Sequence, residues 1–352
     1  MKDNASRTCG LQTSLESPSV VEHTRYRINS AYETIQPYIV RTPLLSSRRL
    51  NDQLRCSLFV KAECLQHTGS FKFRGALNKI LSVTRRAFSP HLLTWSSGNH
   101  GAAVAEVARL LGIPATIVAP PWIPEAKKNN IRCRGAKLHV AGSVIDIASF
   151  GTEMAADLGA TVIPAYDDPF VIEGQASVTL EVLKQFEAQC GRAVPDVIVL
   201  PCGGGSLAAG AALAVEDEPN IRLIAAEPSS AADTKISLAA GRPCKDPNAG
   251  PTICDALRNP LPGAETFEIM KRSVRDVHVL DDKAVLDSMR VLFEHFRLVS
   301  EPAGAIALAA VLSNFESLEG QNVVVVVSGG NVSRTTFYDA IRGCPFDAAL
   351  MI

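Results

Sequence analysis

Short apolar runs rich in β-branched residues alternate with longer stretches of helical periodicity along most of this chain, and no other feature limits its fold as strongly. Leu58–Lys61, Leu92–Trp95, Ala115–Ala119, Lys137–Val140, Val197–Pro201, Leu223–Ala226 and Val323–Val327 read as strands. Several are almost wholly apolar, as strands covered on both faces should be. Between them, Gly101–Leu111, Val171–Gln189 and Lys283–Phe296 are amphipathic and long enough for several helical turns. This order predicts an α/β fold of largely parallel sheets with helices on both faces.

A length of 352 residues corresponds to about two domains. Polar or Pro/Gly-rich passages at Thr84–His91, Ala165–Pro169 and Gly241–Pro251 are the candidate crossings. The first two would bracket a small domain, residues 91–168, inserted into a large one built from residues 1–90 and 169–352. Residues 1–25 lack the apolar centre of a secretory signal and are expected to form a flexible tail. The net charge of −1, from 35 basic and 36 acidic residues, gives no general pull toward nucleic acid or an anionic membrane. The longest apolar stretch, Ala303–Leu312, falls well short of the roughly 20 residues needed to cross a bilayer, so no membrane segment is expected. Nine cysteines, odd in number and never spaced C-x-x-C, argue against a disulfide framework or a structural zinc site. Free thiols in the reducing cytoplasm fit this usage.

Four glycine-containing turns follow apolar strands or open helices: Thr68–Lys72, Ser96–Gly101, Cys202–Ser206 and Ser328–Asn331. Glycine lets backbone amides come close to an anion, and a helix start adds a favourable partial charge. Together the turns predict an anionic small ligand at the strand ends. Neither nucleotide fingerprint fits: G-x-x-x-x-G-K-[ST] is absent, and Gly203-Gly204-Gly205 does not continue as G-x-G-x-x-G. Lys72, beside Phe71 and ahead of the helical pattern Arg74–Ser82, has a setting that would lower an amine pKa and favour nucleophilic chemistry.

These residues resemble the fold-type II pyridoxal-phosphate enzymes (tryptophan synthase β-like), within them the serine/threonine dehydratase and serine racemase group, over about residues 30 to 342. The segment Thr68-Gly69-Ser70-Phe71-Lys72-Phe73-Arg74-Gly75-Ala76 is similar to the family's Schiff-base lysine motif. The resemblance implies Lys72 as that lysine and Phe71 as the residue packing on the cofactor ring. It also implies that Ser96, Ser97, Asn99 and His100 hold the substrate carboxylate, with Asn99 also near the cofactor's 3′-oxygen. Gly203, Gly204 and Gly205 would bind the phosphate of pyridoxal 5′-phosphate. The family's usual fourth glycine is Ser206 here, whose hydroxyl would either donate to phosphate or cap the following helix. Ser328 would meet the pyridine nitrogen, and Glu227, the Ala231 carbonyl and Asp233 would form a divalent-cation site suited to Mg²⁺ or Ca²⁺.

The resemblance implies a dehydratase, or ammonia-lyase, that removes water from L-serine or L-threonine to give a 2-oxo acid and ammonia. A neutral Ser328 partner makes the ring a weaker electron sink, which suits departure of a β-leaving group. Two alternatives stand beside this reading. Ser97 matches the residue that exchanges the α-proton in serine racemases, opposite the lysine, which would make the chain a racemase with dehydratase side activity. The third, a 3-hydroxyaspartate dehydratase, would need a partner for a second carboxylate, and the position where mammalian racemases carry a basic residue is near Ala148 here. Thr252-Ile253-Cys254-Asp255-Ala256-Leu257 looks like microbial dehydratases, with Ala256 in place of a common glycine. A homodimer is implied by the resemblance alone.

Overall fold

The computed structural model describes residues 20–86, 90–96, 98–121, 123, 125–142 and 147–342. Ten strands fall in chain order: β1 Leu44–Ser46, β2 Ser57–Lys61, β3 Leu92–Trp95, β4 Ala115–Ala119, β5 Lys137–Val140, β6 Thr161–Val162, β7 Val197–Pro201, β8 Arg222–Pro228, β9 Val274–Leu280 and β10 Asn322–Val326. They form two sheets. One has six strands in the order β1-β2-β10-β7-β8-β9, the other four in the order β5-β4-β3-β6. Every pairing is parallel except β1 against β2. All seven runs expected as strands are strands, and the α/β class with helix-covered parallel sheets is what the chain adopts.

The burial of β7 and β10 explains their composition. Val197–Leu200 and Val323–Val326 are at most 1% exposed, because helices lie on both faces of the large sheet. One of these is Pro302–Leu312, entirely buried, which accounts for the longest apolar stretch of the sequence. The four-stranded sheet comes wholly from residues 92–162. A helix Val20–Ile35 packs on the long helix Pro169–Cys190 and takes in Val20–Arg25, so the last part of the stretch expected as a tail is helical. No helix among the described residues is long and apolar enough to cross a membrane.

Two glycines set how the lysine-bearing helix sits. Lys72–Thr84 crosses Pro169–Cys190 where a Cβ on Gly75 would lie 2.8 Å from the Val171 carbonyl and one on Gly174 would lie 2.7 Å from the Gly75 Cα. Only glycine permits so close an approach, and it fixes the first turn of the helix against the core.

Candidate active site

In open parallel sheets the carboxyl ends of the strands form a ligand crevice. Here the turns leaving β2, β3, β7 and β10 carry Lys72, Asn99 with His100, the triple glycine, and Ser328 respectively. After β2 the chain makes two short 3-10 turns and enters Lys72–Thr84 with Lys72 as the first helical residue. Thr68 holds φ at +61°, a left-handed conformation that a β-branched residue adopts only under constraint. The constraint is visible: the Phe71 amide donates to the Ser328 carbonyl at 3.0 Å and the Gly330 amide to the Gly69 carbonyl at 2.9 Å. The lysine turn is thereby bound to the turn after β10. Lys72 Nζ donates to the Ala165 carbonyl at 2.7 Å and lies 5.1 Å from the centre of the Phe71 ring. Burial lowers its pKa to about 8, so a useful fraction of the amine is neutral near physiological pH.

Asn99 and His100 open the helix Asn99–Leu111. His100 is buried, with Nε2 3.0 Å from the Ile163 carbonyl. Burial, reinforced by the neighbouring Lys72 charge, pushes its pKa down to about 3. The ring is therefore neutral and must donate through Nε2, which leaves Nδ1 as a buried acceptor without a partner. It can accept a hydrogen bond but cannot act as an acid. Ser96 Oγ accepts a long bond from the Gly98 amide at 3.4 Å, while Ser97 lies outside the described residues. The Asn99 amide is engaged on both sides: Nδ2 donates to Glu301 at 2.5 Å and Oδ1 accepts from Asn331 at 2.7 Å. Glu301 escaped the sequence reading, although a charged residue set against the longest apolar stretch was a usable signal.

Gly203, Gly204 and Gly205 join β7 to the helix Ser206–Ala214. Gly205 has φ of +87°, and a Cβ on Gly204 would lie 2.4 Å from the Tyr166 ring. Tyr166 is a second residue the sequence did not reveal; it adjoins the carbonyl that receives Lys72. The helix has Gly205 as its N-cap and no side-chain cap, so the Ser206 hydroxyl does not cap it and the first-turn amides are available to an anion. Ser328 is buried at the end of β10, beside the lysine turn.

Glu227 and Asp233 lie one strand away, at the end of β8. The Glu227 oxygens accept from the Thr234 and Lys235 amides at 2.9 and 3.0 Å. Neither Asp233 oxygen has a hydrogen-bond partner, though the residue is 1% exposed. Burial pushes Glu227 up to about 7, and burial together with the Glu227 charge pushes Asp233 up to about 8. Thr234 also links this pair to the glycine turn, its hydroxyl 3.3 Å from Cys202 Sγ. Among the described residues no group of three or more acidic, histidine or cysteine side chains is arranged to hold a metal.

A fold with its functional turns gathered at parallel strand ends, a buried amine of lowered pKa and an uncapped helix behind a glycine turn defines a class of cofactor-binding α/β enzyme. Residues 35–329 match the family described as pyridoxal-phosphate dependent enzyme, and the chain belongs to it. It is 38% identical over 322 residues to serine racemase of Arabidopsis thaliana, covering 90% of this chain and 95% of that one. It is 35% identical over 314 residues to a catabolic L-threonine dehydratase of Staphylococcus aureus, covering 88% and 89%. The solved structure of maize serine racemase superposes with a TM-score of 0.83 at 37% identity, covering 90% of this chain and 96% of that one. The fold is thus fold-type II, and the relatives include both lyases and racemases. The residues present fit the family cofactor: an amine for its carbonyl carbon, backbone donors for its phosphate where no side chain could enter, and a neutral hydroxyl for its ring nitrogen.

Proposed function

We propose that the protein is a dehydratase that takes L-serine or L-threonine to the 2-oxo acid and ammonia. Lys72 would hold pyridoxal phosphate through its amine, the Gly203–Gly205 turn and the amides after it would hold the phosphate, and Ser328 would face the ring nitrogen. When bound, the cofactor supplies an electron sink for the carbanion left when the α-proton is removed. Once the substrate amine takes its place on the cofactor, the freed Lys72 Nζ, with its pKa near 8, would take that proton and return it to the departing β-hydroxyl, which leaves as water. Ser96, Ser97, Asn99 and the His100 region would bind the substrate carboxylate. The observation that carries the dehydratase reading is the buried Lys72 amine of lowered pKa, beside which, among the described residues, His100 is held neutral by burial. Elimination needs one base on one face, whereas racemisation needs a second on the other.

The serine racemase reading rests on Ser97, and the 3-hydroxyaspartate reading lacks a basic residue at Ala148 for the second carboxylate. We further propose that Glu227, the Ala231 carbonyl and Asp233 take Mg²⁺ or Ca²⁺, because two buried carboxylates with raised pKa values lack the positive charge that would balance them. Residues 91–168, which contain the four-stranded sheet, would form the small domain. The protein would act as a homodimer in the cytoplasm, in keeping with the free thiols of Cys56, Cys64, Cys133, Cys190, Cys202, Cys244 and Cys254.

The test is one incubation of purified protein with pyridoxal phosphate, Mg²⁺ and L-serine, following pyruvate and D-serine together. Pyruvate in large excess is expected, and Lys72→Ala should abolish it along with the visible absorbance of the bound cofactor. D-serine as the main product would overturn the dehydratase assignment in favour of the racemase. Full activity in Lys72→Ala would overturn the mechanism.

A further inference from the structure

We propose that Glu301 is a positioning residue that locks the Asn99 side chain as a hydrogen-bond donor to the bound cofactor. The proposal rests on the reading above that Asn99 lies beside the cofactor's 3′-oxygen, and it adds a reason for the amide to present nitrogen there rather than oxygen.

Glu301 is the N-cap residue of Pro302–Leu312, yet its side chain does not cap that helix. The carboxylate turns elsewhere. It is 5% exposed, its backbone amide donates to the Gly329 carbonyl at 3.0 Å, and a Cβ on Gly329 would lie 2.2 Å from Glu301 Oε1. Gly329 is therefore glycine so that this carboxylate can rest on the turn after β10. From there Oε1 accepts from Asn99 Nδ2 at 2.5 Å, while Asn99 Oδ1 accepts from Asn331 Nδ2 at 2.7 Å. Asn331 Nδ2 also donates to the Thr68 carbonyl at 2.7 Å, tying the network to the lysine turn and its left-handed Thr68.

These contacts decide the orientation of the amide. Turned over, Asn99 would set its oxygen against a buried carboxylate and its NH₂ against the NH₂ of Asn331, losing two hydrogen bonds and gaining two repulsions. The second Nδ2 hydrogen is held in one direction, on a nitrogen polarised by the carboxylate behind it. Such a donor suits an anionic oxygen. Asn99 belongs to the turn after β3 and Glu301 to the large-sheet side, so the same contact joins the two sheets across the site.

The experiment measures cofactor affinity by titrating cofactor-free protein with pyridoxal phosphate, and records the pH dependence of the visible absorbance of the loaded protein. It compares wild type, Glu301→Ala, Glu301→Gln, Asn99→Ala and the Glu301→Ala/Asn99→Ala double variant. Glu301→Ala should weaken binding by about ten- to a hundredfold, the range for a hydrogen bond to a charged group, and shift the spectroscopic pH midpoint. Glu301→Gln still accepts from Nδ2 and should restore most of the affinity. In the Asn99→Ala background, removing Glu301 should have little further effect, because the two act through one contact. Additive effects, or wild-type affinity and midpoint in Glu301→Ala, would overturn the proposal. If Glu301→Ala does not fold, as judged by circular dichroism, a Glu301→Gln protein with the losses of Asn99→Ala would overturn it equally. Failure of the wild type to bind the cofactor would instead strike the functional reading on which the proposal rests.

Discussion

Beneath the helix that begins with Lys72, four buried charges are matched one against another; at the end of β8, two buried carboxylates are not. In the first group Arg74 donates to both Glu63 oxygens at 2.8 Å and to the two Glu181 oxygens at 3.0 and 2.8 Å. Lys61 Nζ completes the set, donating to Glu181 at 2.6 Å, the Thr42 carbonyl at 2.7 Å and Gln185 at 2.9 Å. Burial alone would raise the Glu63 carboxyl, but the Arg74 charge and its hydrogen bonds override it and hold the group below its ordinary range. In the second group burial prevails, so Glu227 and Asp233 both stand well above the ordinary carboxylate range. A buried ion without compensation costs several kcal/mol. A set closed within the chain is scaffold; one left open carries an uncompensated cost that a cation would relieve.

Breaking the closed set should have the largest effect. Arg74→Met leaves Glu63 buried without its ion-pair partner and Glu181 with Lys61 alone, and should cost about 3–5 kcal/mol in equilibrium denaturation at pH 7. Because the folded Glu63 pKa is depressed, its stabilisation is present above the ordinary value of 4.5 and is lost as pH falls through the folded value. Arg74→Met should therefore be most damaging near neutrality and less so in acid. A loss below about 1 kcal/mol would show that the closed set does not behave as scaffold.

The open set should respond with the opposite sign. Its carboxyls are raised in the fold, so without a cation their contribution is most favourable below about pH 4 and is lost as pH rises through about 7 and 8. Melting of the cation-free protein should worsen between pH 5 and pH 8.5, and Ca²⁺ or Mg²⁺ should restore it more at pH 8.5 than at pH 5. Asp233→Asn should gain about 1–3 kcal/mol at pH 8.5 in chelator and lose the response to the cation. Equal cation effects in Asp233→Asn and wild type would exclude Asp233 as a ligand.

The same contrast explains what the sequence could reveal. Strands β2, β7 and β10 announce themselves because burial on both faces demands unbroken apolar runs. Strand β9 hides: it is an edge strand whose Arg275 and Asp276 are exposed, which breaks the pattern. Strands β1 and β6 have three and two residues, too few for any periodicity. Lys72 and the glycine turns are legible because their backbone and chemistry are local. The Arg74 set is not, since Lys61 and Glu181 stand 120 residues apart and meet only where the helix Pro169–Cys190 passes the end of β2. Glu301, Tyr166 and Asn331 have the same difficulty: each acts by touching another turn. Ser206 teaches the reverse lesson, since a serine at a helix start looks like a cap, but the glycine before it takes that position.

Glu173 falls between the two groups and gives the smallest and most discriminating prediction. Its side chain is 8% exposed and pairs with Arg27, whose side chain is 45% exposed. Burial raises its pKa, and Arg27 offsets that only in part, while Asp168 and Glu265 add to the rise. If compensation from a half-exposed partner is weakened by solvent, Arg27→Ala should cost only about 1 kcal/mol at pH 8. Because the carboxyl is raised, it neutralises as pH falls toward 4.5 and then needs no partner, so the cost should shrink in acid. This is the reverse of the trend one would see if Arg27 mattered only through packing of its aliphatic stem, for which the cost would be the same at both pH values. Thermal melts of wild type and Arg27→Ala at pH 4.5 and pH 8 separate the two. A pH-independent loss would place Glu173 with neither group and confine the contrast between closed and open sets to the two clusters that define it.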